Sequence, residues 1–65
     1  MNKEEMYENK IRAIADQIEV LRLEMYPQIS DTDEDKHYFS DNLFSLQSKL
    51  RELATTASLL DYKNN

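Results

Sequence analysis

Apolar residues recur in this chain at alternating steps of four and three. In the first half they fall at Tyr7, Ile11, Ile14, Ile18, Leu21 and Met25, and in the second at Phe39, Leu43, Leu46, Leu50, Leu53, Ala57 and Leu60. That spacing holds them on one stripe of an α-helix and is the a/d pattern of helices packed in bundles or coiled coils. Strands alternate with period two, and they need turns. A chain with no glycine and one proline has little chemistry for making them. The pattern therefore predicts an all-α fold of two helices.

Local chemistry suggests where each helix stops. Asn2 is placed to cap the first helix, with Glu5 completing a capping box and Glu4 and Glu5 near the positive end of the helix dipole. Pro27 disfavours helical geometry at Tyr26, so helix 1 is expected over about 3–26. The segment "PQISD" then makes a turn over 27–32. Thr32 is the expected cap of helix 2, with Asp35 in the reciprocal position and Ser30 as competitor, and helix 2 is expected over about 33–62. A connection this short folds the helices back as an antiparallel hairpin. Facing residues then have numbers totalling roughly 59, which leaves the last turns of helix 2 beyond the start of helix 1.

The acidic run "SDTDEDKHYFSDN" raises the question of a metal. Asp31, Asp33 and Asp35 alternate as at the start of an EF-hand loop, but the sixth and twelfth positions, which need Gly and a bidentate Glu, hold Lys36 and Asn42. A turn and helix start explain the same carboxylates. Asp33 and His37, four apart, are a weak alternative for a transition metal. The single His, the lack of cysteine and the lack of a Gly-rich phosphate loop leave no catalytic constellation. No cofactor, metal or enzymatic activity is expected.

Size then bears on partners. A domain of 65 residues is marginal as a lone monomer, and one hairpin buries only one side of each seam. Pairing two hairpins into a four-helix bundle closes the seam. The expected oligomer core is Ile11, Ile14, Ile18, Leu21, Met25, Phe39, Leu43, Leu46, Leu50, Leu53 and Leu60. Val20, Leu23, Tyr26, Tyr38 and Phe44 lie off the heptads. They either widen that core or form a surface for another protein.

The net charge of −5, from 13 acidic and 8 basic residues, disfavours nucleic acid and anionic membranes. No segment approaches a membrane span. The opening "MNKEEMYENK" is charged from its third residue and lacks the apolar stretch of a secretory leader. With cysteine absent, a cytoplasmic protein is the expectation.

The length, acidity and hairpin layout resemble the plasmid-encoded RNA-binding repressor of primer, a helical hairpin that dimerises into a four-helix bundle. That resemblance implies a dimer, and as an alternative role RNA binding through one helical face. Lys3, Lys10, Arg12 and Arg22 are interleaved with Glu8, Asp16 and Glu19, so no basic stripe results. "IEVLR" at 18–22 and "SDNLF" at 40–44 are similar to small aspartyl-phosphate phosphatases of sporulation response regulators. Ser40 and Leu43 match their Ser-Gln-x-Leu-Asp motif, Asp41 replaces the Gln, and Phe44 stands where the functional Asp belongs. The reading that fits best is a small non-enzymatic interaction module, a regulator or inhibitor of bacterial or phage type, acting on itself and on another protein.

Overall fold

A computed structural model describes residues 2–63. Helix α1 spans Lys3–Met25, a 3₁₀ turn spans Tyr26–Gln28, and helix α2 spans Lys36–Ala57. The two helices pack against each other as an antiparallel hairpin, and no strand occurs among the described residues.

The start of α1 follows its capping chemistry. The Glu5 N–H donates to Asn2 Oδ1 at 2.8 Å, and Glu4 and Glu5 occupy the first turn. Pro27 ends α1 at Met25, one residue short of the expected Tyr26. Tyr26 itself keeps right-handed helical angles. The helix tightens into a 3₁₀ turn with Pro27 near its start, where a missing N–H costs little.

Helix α2 is shorter at both ends than the expected 33–62. Thr32 does not cap it. Its N–H and hydroxyl are instead turned to Ser30 Oγ, at 3.3 and 2.9 Å. The Asp35 N–H donates to Asp33 Oδ1 at 2.9 Å. Such side-chain-to-backbone bonds offer the chain an alternative to helix, and they hold it in turns until Lys36. Asp35 takes the N-cap place but makes no side-chain cap bond. At the far end Ser58 Oγ donates to the Thr55 carbonyl at 2.7 Å, and Tyr62 Oη to the Ala57 carbonyl at 2.6 Å. The chain leaves the helix there, and the Tyr62 ring stacks on Tyr7 with centroids 5.4 Å apart.

The longer connection resets the register. Arg12 meets Thr55 and Asp16 meets Arg51, so facing numbers total 67 rather than 59. At that register the two helices overlap over about residues 10–25 and 42–57, and the first turns of α1 face the C-terminal segment that follows α2, where Tyr62 stacks on Tyr7. The overhang expected of helix 2 does not exist, and Ala57 is buried.

The seam between the helices is lined by small and polar side chains. Ala15, Ala54 and Gln47 are fully buried, with Ser40, Lys36 and Ala57 nearly so. Alanines let the two backbones approach, while Gln47 spans the gap with long hydrogen bonds, accepting from Arg22 Nε at 3.4 Å and donating to Glu19 Oε1 at 3.5 Å. The large apolar residues flank this seam instead of filling it.

Candidate functional site

Helical geometry sorts the remaining side chains onto two long faces. Ala15 marks the direction from α1 to α2. At 100° per residue, Tyr7, Ile14 and Leu21 form a column to one side of it, with Ile11, Ile18 and Met25 between that column and the seam. On α2, Ser40, Gln47 and Ala54 mark the direction back to α1. Phe39, Leu46 and Leu53 form the matching column, with Leu43, Leu50 and Ala57 between. In an antiparallel pair these two columns fall on the same side, so they merge into one apolar face. Leu60 follows α2 in the C-terminal turn and is exposed.

All helical members of the expected oligomer core therefore share this face, but the hairpin alone does not bury them. Ile11, Ile18, Met25, Leu43 and Leu50 are half-buried. Ile14 and Leu46 each keep 49% of their surface in water, and Tyr7, Leu21, Phe39 and Leu53 are similarly exposed. Contiguous apolar surface of this kind marks an interaction site in a soluble protein. At the turn end the face deepens into a groove between Met25, Ile29 and Phe39, rimmed by Asp33, Asp35 and Lys36.

The opposite face is tied across the seam by charges. Arg12 donates through Nε and Nη2 to Glu8 Oε2 at 3.1 and 2.8 Å, and Nη2 also reaches Thr55 Oγ1 at 3.1 Å. Arg51 Nη2 lies 3.3 Å from Asp16 and 3.4 Å from Glu19.

Where this face meets the turn, Lys36 is 8% exposed and its ammonium sits 4.4 Å from the Tyr26 ring centroid. It donates to Asp31 Oδ1 at 2.6 Å. That hydrogen bond, with the attraction of the ammonium, holds the Asp31 carboxyl below its ordinary range, and the same hydrogen bond raises the Lys36 ammonium above its own.

The five off-heptad residues separate. Leu23 and Phe44 lie on the charged face near the turn, 59% and 52% exposed, with the Arg22 guanidinium 5.3 Å from the Phe44 ring centroid. Val20 is next to them and exposed. Tyr26 is half-buried at the end of the seam, its hydroxyl 3.3 Å from His37 Nδ1. Tyr38 is two residues from buried Ser40, which turns it to the outer surface of α2, and it is 70% exposed. Leu23 belongs to two groupings: by helical position it stands with Val20 and Phe44, and it lines a pocket with Arg22, Tyr26, His37, Ser40 and Asp41.

Among the described residues no group of three or more His, Cys, Asp or Glu side chains is placed to hold a metal ion. The alternating aspartates have other partners: Asp31 binds Lys36 and Asp33 binds the Asp35 N–H. Ser40, matched to the phosphatase motif, is buried in the seam. Lys36, Ser40 and Gln47 carry no core expectation in the sequence pattern, whereas they line the helix–helix contact. Their spacing of four and seven, continued to Ala54, was the available signal. No helix is long and apolar enough to cross a membrane. No protein-family model matches the sequence, and no curated protein or solved structure matches it.

Proposed function

We propose that this chain is a small cytoplasmic, non-enzymatic interaction module of the regulator or inhibitor kind, working as a homodimer in which two hairpins close their apolar faces into a four-helix bundle. One observation carries the reading: the heptad residues form a continuous face, and the hairpin leaves much of it in water. Burial is worth roughly 25 cal/mol per Å² of apolar surface, so covering such a face strongly favours association. The second patch, Val20, Leu23 and Phe44, lies on the other face and stays free when the first is covered. It supplies the surface for a different protein partner.

The charged face supports this reading over RNA binding. Arg12, Arg51 and Lys36 are each committed to a carboxylate, whereas phosphate recognition calls for clustered basic groups. Sedimentation equilibrium at micromolar concentration tests the dimer. The expected mass is about twice the 7.7 kDa chain, and a stably folded monomer overturns the reading.

A further inference from the structure

We infer that the second copy lies head to tail, its turn against the open end of the first. The inference rests on the dimer reading and adds its geometry, and three observations carry it.

The first is surface area. The hairpin exposes 5173 Å² and measures 53 × 16 × 14 Å. A compact protein of its mass exposes about 4300 Å², and one of twice that mass about 7200 Å². Bringing two hairpins to that norm removes on the order of 3000 Å² in total, within the range of obligate homodimers. A dimer that reaches this norm overlaps the two faces along their whole length. Full overlap allows only two arrangements, turn beside turn or turn beside open end.

The second is charge. Residues 17–50, the turn half, carry seven carboxylates and three Lys or Arg side chains. The remaining residues, the open half, carry six and five. Turn beside turn sets two regions of net −4 together, with four carboxylates between Asp31 and Asp35 on each copy. Turn beside open end sets −4 against −1, and separates the two acidic turns by far more than the Debye length of about 8 Å.

The third is side-chain size. With facing numbers totalling 67, the apolar face is a series of layers whose midpoint is Ile18 with Leu50. Ile11 with Ala57 is a thin layer on one side of that midpoint, and Met25 with Leu43 a thick one at the same distance on the other. Head-to-tail overlay about the midpoint places thin on thick. The alternative sets thin on thin, leaving a void, and thick on thick, forcing a clash. Cores close at crystal-like density, and facing layers alternate large and small to do so.

The chain has no cysteine, so single thiols can carry spin labels. Thr32→Cys and Asn9→Cys place labels on exposed positions at the turn end and the open end. In the labelled Thr32→Cys dimer, dipolar spectroscopy should give a label separation close to the length of the hairpin, about 50 Å. An equimolar mixture of the two labelled variants should add a separation of about 30 Å or less, since packed helix axes lie only 8–10 Å apart. A Thr32→Cys separation below about 25 Å, with the dimer mass intact, overturns the head-to-tail arrangement alone. Loss of all coupling together with a monomer mass in the unlabelled protein overturns the dimer reading itself.

Discussion

The two long faces of the hairpin share one seam and the same two helices, yet they meet water in opposite ways. On one face, large apolar side chains such as Ile14 and Leu46 stand half in solvent. On the other, Arg12 and Arg51 reach across the groove to residues of the facing helix or to its acids. The buried seam between them is made of Ala15, Ala54, Ser40 and Gln47. Small side chains allow close approach but remove little apolar surface from water, so the seam sets geometry. Most of the hydrophobic free energy this chain can release is held on the open face. In the proposed dimer a second hairpin covers that side.

The largest expected effect tests whether that face is covered. Leu50→Ala and Leu46→Ala should each cost roughly 2–5 kcal/mol, as transfer and cavity contributions add for truncated core leucines. Denaturant melts at several protein concentrations measure this, and the midpoint should rise with concentration. If the face stays in water, Leu46→Ala costs within about 0.5 kcal/mol, as surface changes do, and the contrast between the faces loses its meaning.

A smaller effect is expected at the seam. Ala54 has no exposed surface and sits where the backbones come close. Ala54→Leu should destabilise by about 1–3 kcal/mol through overpacking, read from the denaturation midpoint. A neutral result would mean that the helices are further apart than their contacts imply.

How far these features were legible in the sequence follows from which forces set them. Heptad leucines and isoleucines dictate two helices and a common face, because period and burial are the same property there. Asn2 and Glu5 announced the first cap. The connection was not legible in the same way. "SDTDED" reads as a helix start, since Ser, Thr and Asp are good caps, but the same side chains bind their own backbone in turns. Local turn bonds won, α2 began at Lys36, and the register moved from 59 to 67. That one shift removed the overhang once expected of helix 2. The exposed face is what remains to favour the proposed association. Gln47 and Lys36 were hidden for a different reason: polar residues are mostly found outside, and only the final pairing shows that Glu19, Arg22 and Asp31 satisfy them.

The charged face should respond weakly. Arg51→Ala removes two partly exposed ion pairs and should cost under about 1 kcal/mol. Leu23→Ala should also fall below about 1 kcal/mol, its consequence being lost binding of a protein partner. A loss as large as that of Leu50→Ala would place Leu23 in the bundle core and remove the second surface.

The smallest expected effect belongs to the Asp31–Lys36 pair, and its sign follows from the two shifts. Asp31 is held below its ordinary pKa when folded. Its contribution is therefore present above the unfolded value of about 4 and fades as pH falls through the folded one. Lys36 is raised. Its contribution is present below the unfolded value of about 10.5 and fades as pH rises past the folded one. Between those limits the pair adds a constant amount, kept small because the Asp31 side chain is 94% exposed. Thermal melts of the wild type and Asp31→Asn should therefore differ by a fixed small margin from about pH 5 to 9. The margin should shrink as pH drops from about 4 through the lowered folded value, below which the wild-type carboxylate is protonated in both states and resembles the amide. A margin that instead widened in acid would mean that Asp31 opposes folding when charged. Lys36 would then have to be held in the seam by the Tyr26 ring, 4.4 Å away, and not by the carboxylate.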